Sequence, residues 1–190
     1  MICMAGLIHL SARTVLIIGL VLIFSHNATD SFRLQPGDSF FILWSLHNQG
    51  GFLQVSENIA FLAFYPLIPW LGIMMAGYWL GTLYKNINAE KRQQILFRTG
   101  LVATLLFIGL RFINFYGDPA PCSEQKNVVY TIMSFLNTTK YPVSLLYTLM
   151  TLGPVLMLLA WMENLKLNML KPIQVFGRVP MFYFILHFYL

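Results

Sequence analysis

The sequence predicts an all-α, polytopic transmembrane helix bundle of about five or six membrane segments. Three observations predict it. Of the 190 residues, 57% are hydrophobic and only 10% are charged, whereas a soluble domain is about one-quarter charged. Mean hydropathy is +0.66, and the apolar residues fall in long runs parted by short polar connections. Finally, the connections alternate in charge along the chain, as successive crossings of a bilayer require.

The apolar runs are Met1 to Leu10, Thr14 to about Ala28, Ile59 to Leu83, Ile95 to Ile113, Val143 to Trp161 and Val179 to Leu190. A crossing takes about 20 residues, a length that the third, fourth and fifth runs meet or approach. The first and last runs reach roughly 15 and 18 Å at 1.5 Å per residue. The last stops inside "FYFILHFYL" with no cap, basic flank or turn. Both ends therefore read as cut, and residues 1–190 as a single transmembrane domain from a longer one.

Reading Ile2 to Phe24 as one helix would place Arg13 in mid-bilayer, at about 2.5 to 3.5 kcal/mol on insertion scales. Two helices joined by a tight turn at "HLSART" avoid that cost, with Ser11 capping the second. Arg13 follows the first apolar run instead of preceding it, which is not the layout of a signal peptide. Between the second and third runs, "QPGD" and "NQGG" turns flank "SFFILWSL", so Ser31 to Ser56 holds either a short hairpin or an interfacial helix.

The third run contains "YPLIPWLGIMMAGYWLG", Tyr65 to Gly81, with two prolines and three glycines. Gly77 and Gly81, with Gly72 further back, form a face on which another helix can approach closely. Pro66 and Pro69 sit at the outer end, where a proline frees a carbonyl and opens a helix toward a cavity. The fourth run is entered amphipathically through "NAEKRQQILFR".

Arg13, the connection with Lys85, Lys91, Arg92 and Arg98, and the connection with Lys166, Lys171 and Arg178 hold eight of the twelve basic residues. The other two connections, Ser25 to Asn58 and Tyr116 to Tyr141, hold Asp30, Asp38, Glu57, Asp118 and Glu124, five of the seven acids. The basic side is cytoplasmic. Orientation accounts for the net charge of +5, so nucleic acid is excluded as a partner. Cys3 and Cys122 are far apart and form no CxxC, so neither a metal site nor a disulfide framework is indicated.

"FYPLIPWLGIMMAGYWLGTLY", "FLNTTKYPVSLLYTLMTLGPVLMLLAW" and "FGRVPMFYFILHFYL", in this order, together with "LIFSHNATD", resemble the later half of bacterial membrane proteins related to heparan-α-glucosaminide N-acetyltransferase. That resemblance implies a multi-helix acyltransferase of the bacterial cytoplasmic membrane. It would move an acetyl group from acetyl-CoA, on the cytoplasmic side, to a sugar or amino sugar on the other face. It also implies a catalytic histidine in the first helices of such proteins, which this chain does not match, so the catalytic residue stays unassigned. The partners expected are the lipid bilayer, a carbohydrate acceptor and the missing helices of the longer acyltransferase-like protein.

Acyl transfer requires a base, a thioester held in line, and donors for the developing oxyanion. The polar residues available for binding substrate lie at the acidic ends of the runs: His26, Asn27 and Asp30 after the second, Tyr65 before the prolines, Arg111 and Asn114 at the end of the fourth, and Thr138 and Lys140 before the fifth. His187 is a further candidate within the last run. Arg111, inside "LLFIGLRFINF", either faces the bundle or snorkels to the interface. His26 and Asn27 equally suit a helix cap, and His187 a carbonyl contact between helices. A transporter or channel-like component lined by proline-broken helices is the alternative function, and an inactive fragment a third. Ion-coupled transporters commonly carry acids at the midplane, but here every acid lies in or beside a connection, which favours the acyltransferase.

Overall fold

A computed structural model describes residues 2–56, 59–63, 65–164, 175, 177–187 and 189. Lys166 and Lys171, expected on the basic side, lie outside the described residues. The architecture is helical: α1 (Ile2–Leu7), α2 (Ala12–Ser25), α3 (Phe41–Trp44), α4 (Leu67–Asn86), α5 (Ala89–Ile113), α6 (Val128–Leu136), α7 (Leu145–Met162) and α8 (Pro180–His187). Among the described residues four stretches are long and apolar enough to cross a membrane, Ala12–Thr29, Leu67–Asn86, Ala89–Ile113 and Leu145–Met162. One antiparallel hairpin, β1 (Gly51–Ser56) with β2 (Ile59–Ala63), joins α3 to α4, Gly51 facing Ala63.

The break between α1 and α2 falls where Arg13 demands it. Ser11 is the N-cap of α2, its hydroxyl accepting from Thr14 N at 3.2 Å, and Arg13 is exposed in the first turn. α5 starts at Ala89, and the amphipathic entry is part of the helix. The third run departs from expectation. Ile59–Ala63 forms β2, and α4 begins only at Leu67. Pro66 is therefore the N-cap of α4 and Pro69 lies in its first turn, where the missing N–H would have had no helical partner. Neither proline opens the helix, and both are buried.

α2 packs along α4 and α5 along α7, and glycines set both crossings. A Cβ on Gly72 would lie 2.9 Å from the Gly19 carbonyl, and one on Gly100 would lie 2.7 Å from that of Gly153. Only glycine allows such an approach. The expected docking face is thus Gly72 alone, because a Cβ on Gly77 or Gly81 would meet nothing within 4 Å. The pairs meet at a core of Ile23, Phe107, Leu145, Leu146 and Leu149.

This packing gives the bundle two polar ends. At one, Arg92 grips Glu163 through Nε to Oε1 at 2.7 Å and Nη2 to Oε2 at 2.5 Å, while Nη1 donates to the Ile87 carbonyl and the guanidinium covers the Tyr84 ring at 4.4 Å. At the other end α7 starts among Asn27, Gly117 and Asp118. The 85–92 connection and the acids Asp30 and Asp118 accordingly lie at opposite ends of the bundle.

Candidate functional site

The acidic end is assembled by a web of hydrogen bonds between segments far apart in sequence. His26, in the short 3-10 turn that follows α2, is buried, with Nδ1 2.8 Å from the Ile23 carbonyl and Nε2 2.9 Å from the Val143 carbonyl. Its ring ties the end of α2 to the segment before α7. Asn27 repeats the tie, because its Oδ1 accepts from Leu145 N at 2.8 Å while its Nδ2 donates to Asp30 Oδ2 at 2.6 Å. Asn27 thereby satisfies a free N–H at the start of α7 and fixes one oxygen of Asp30.

Asp118 organises the other wall. Its Oδ1 accepts from Ala120 N and Thr139 Oγ1, both at 2.8 Å, and its Oδ2 accepts from Thr139 N at 2.8 Å and Ser144 Oγ at 2.7 Å. Ser144 in turn caps α7 by accepting from Tyr147 N at 3.0 Å. Four donors on one carboxylate make Asp118 a structural clasp.

Arg111 faces inward and is 2% exposed. Nε donates to the Phe135 carbonyl, Nη1 to that of Ala120, and Nη2 to those of Ser134 and Asn137, at 2.7 to 2.9 Å. Three of these carbonyls belong to the last turn and cap of α6, where a cation also meets the negative end of the helix dipole. Arg111 therefore fastens α6 to α5, with four of its five N–H groups engaged. Asn114 ends α5 in a left-handed conformation (φ 54°) and holds the Cys122 backbone through both amide atoms, at 2.8 and 2.9 Å.

Between these walls opens a cleft of about 430 Å³, lined among others by Thr29, Asp30, Arg33, Asn48, Thr139 and Tyr141. Of the nine residues singled out in the sequence, Asp30 alone lines it. His26, Asn27, Arg111 and Asn114 build the frame behind it. Thr138 turns toward Met150 Sδ at 3.9 Å, Lys140 and Tyr65 stand at Tyr141 on the rim, and His187 is exposed at the end of α8 and does not line the cleft.

The residue the sequence did not disclose is Asn48, which is 6% exposed. Its Nδ2 donates to Thr29 Oγ1 at 2.5 Å, and the Thr29 hydroxyl in turn donates to the His26 carbonyl at 2.6 Å. That chain fixes the amide's orientation and leaves Oδ1 buried without a donor, one of the few such atoms among the described residues. A buried acceptor without a partner costs about 1 to 3 kcal/mol, a cost that a hydrogen-bond donor in the cleft would remove. Gly50 and Gly51 place it there. With φ of 67° and 109° they turn the chain out of the helical segment into β1, a course that glycine follows without strain.

The rim is aromatic. Tyr65 packs edge-on against Trp70 at 5.3 Å and Tyr141 at 5.7 Å, and the Lys140 ammonium covers the Tyr141 ring at 5.2 Å. The Tyr141 hydroxyl accepts from Tyr65 and then from Lys140, which lowers its pKa below the usual phenol range, while the bond to Tyr141 raises that of Tyr65. Among the described residues no cluster of His, Cys, Asp or Glu could hold a metal ion, and Cys3 and Cys122 are free thiols.

A family model described as heparan-alpha-glucosaminide N-acetyltransferase, catalytic, matches residues 1–117. The match takes in α1 to α5, with His26 to Asp30, Asn48 and Arg111, while the "FLNTTKYPVS" and "FGRVP" segments lie beyond it. No curated protein and no solved structure matches the chain.

Proposed function

The chain belongs to the heparan-alpha-glucosaminide N-acetyltransferase catalytic family, and from that premise we propose that it acts in acetyl transfer from acetyl-CoA to a sugar or amino sugar across a bacterial cytoplasmic membrane. The observation that carries this reading is the pair of acceptors in the cleft, the carboxylate of Asp30 and the unsatisfied Oδ1 of Asn48. An acceptor buried without a donor, beside a carboxylate of which Asn27 occupies only Oδ2, suits a ligand rich in O–H and N–H groups, and a carbohydrate is such a ligand. The cleft volume lies within the ordinary range for a small-molecule site, about 300 to 1,000 Å³.

In this reading Asp30 orients the acceptor amine or hydroxyl and Asn48 accepts from a neighbouring group of the sugar. In overall balance a bond forms from the acceptor's nitrogen or oxygen to the acetyl carbon, the thioester C–S bond breaks, and the acceptor's proton ends on coenzyme A as the thiol, with the acetyl group crossing the bundle between the donor's face and the cleft. The basic end faces the cytoplasm, where acetyl-CoA is supplied.

Kinetics with labelled acetyl-CoA and glucosamine test the assignment. Asn48→Leu raises the KM for the sugar by about tenfold, the equivalent of one lost hydrogen bond to a buried group of about 1.4 kcal/mol, and leaves the KM for acetyl-CoA unchanged. A protein that carries the sugar across the bilayer without acetylating it would overturn the reading in favour of transport.

A further inference from the structure

Helix α6 lies in the connection that the sequence marks as polar, yet "VVYTIMSFL" contains no charged residue. Its nine residues span roughly 14 Å at 1.5 Å per residue, too short to cross a bilayer. The helix is two-faced. Thr131, Ser134 and Phe135 turn inward, where Thr131 Oγ1 accepts from Gln125 N, Ser134 Oγ accepts from Ser123 N, and Phe135 meets Phe107 edge-on and Phe112 at a tilt. Val128, Val129, Tyr130, Ile132, Met133 and Leu136 turn outward and are each 50% to 75% exposed.

That apolar face continues the lipid-facing surface of α5. Phe112, Ile113 and Phe115, at the end of α5, are exposed as well, and the Phe112 ring stands 5.2 Å from Phe135. α6 is also fastened at both ends. Asn127 caps its start by accepting from Tyr130 N at 3.0 Å, and the buried Arg111 binds its final carbonyls. The outward face is therefore a fixed surface of the folded chain, set at the level where a membrane-crossing helix ends.

We propose that α6 is an interfacial helix, lying along the membrane surface on the acidic side with its apolar face sunk among the lipids of that leaflet. The occupant is phospholipid, because the face is continuous with the surface of α5 that lipid covers and adjoins the level of the headgroups. Such helices sit roughly 5 to 10 Å into the boundary between headgroups and acyl chains. Through Arg111 the helix positions Asn137 and, two residues on, Thr139 in the cleft wall, so the membrane surface sets the height of the cleft mouth.

Single cysteines at Val129, Met133 and the inward Thr131, in a protein carrying Cys3→Ser and Cys122→Ser, labelled with an environment-sensitive fluorophore in phosphatidylcholine vesicles, test this directly. Labels at 129 and 133 are expected to emit to the blue and to be quenched about twofold more by nitroxides near the headgroups than by nitroxides deep in the acyl chains. The label at 131 is expected to show neither effect. Quenching at 129 and 133 by aqueous iodide would overturn the proposal, leaving α6 in water. Protection from both kinds of quencher would overturn it equally, because the face would then be covered by protein, either a second copy or further helices of a longer chain.

Discussion

The guanidinium of Arg111, at the end of α5, donates from Nη2 to the backbone carbonyl of Asn137 at 2.7 Å. With its bonds to Ala120, Ser134 and Phe135, this contact makes one buried side chain the fastening for the connection between α5 and α7. Arg111→Met keeps the apolar stem but leaves four carbonyls without their donor, and is expected to destabilise the protein by about 3 kcal/mol or more. Arg111→Lys recovers only part of this, because an ammonium cannot reach all four carbonyls in the fork geometry of arginine. Denaturation in detergent measures both.

The glycine crossings make a contrasting pair of predictions. Gly100→Ala drives a methyl into the Gly153 carbonyl at 2.7 Å and Met157 N at 2.8 Å, and is expected to cost about 1 to 3 kcal/mol by overpacking. Gly77→Ala and Gly81→Ala meet nothing and are expected to raise stability by up to about 1 kcal/mol through helix propensity. Melting temperatures of the three variants in one detergent decide between close packing at Gly100 and a general role for glycine in these helices.

Much of the fold was legible because it follows from one-dimensional rules. Arg13 forced the break that Ser11 caps, and alternating charge placed Lys91 and Asp118 at opposite ends. The hairpin was less legible. Ile59–Ala63 is a short apolar run, and periodicity alone does not distinguish a strand of that kind from the start of a helix. Gly72 and Gly77 look alike in sequence, and only the neighbour across the crossing separates them. The candidate site was legible at Asp30 and in the frame behind it. Asn48 was not, since its significance is an unfilled acceptor created by Thr29 and the turn at Gly50, a tertiary fact that leaves no local signal.

Ionisation of the rim tyrosines follows from their hydrogen bonds. Tyr141 is expected to ionise below the pH of an ordinary tyrosine and Tyr65 above it, because Tyr65 donates to Tyr141 and stabilises the phenolate. As pH rises, the tyrosinate absorbance near 295 nm should therefore appear early, and Tyr141→Phe should delete that early component. Tyr65→Phe and Lys140→Met should each move the Tyr141 transition back up, the first by removing a hydrogen bond and the second by removing a hydrogen bond and a positive charge. An unchanged early component in Tyr141→Phe would contradict the assignment.

Sidedness is checked by chemical labelling of intact vesicles. Lys91, in the first turns of α5, and Glu124, beyond its far end, are both exposed, and the 25 residues of α5 separate the two levels by roughly 38 Å. Lys91→Cys and Glu124→Cys, each in the protein lacking Cys3 and Cys122, are expected to react with an impermeant maleimide from opposite faces. Reaction of both from the same face would contradict the arrangement of the bundle.

Vectorial acetyl transfer is read in sealed proteoliposomes, with labelled acetyl-CoA confined to the basic face and glucosamine to the acidic face. Labelled N-acetylglucosamine is expected to accumulate on the acidic side, and Asp30→Asn and Asn48→Leu each to diminish it while the protein remains folded. Unacetylated sugar crossing the bilayer, or transfer that proceeds only when both substrates share one face, would contradict it.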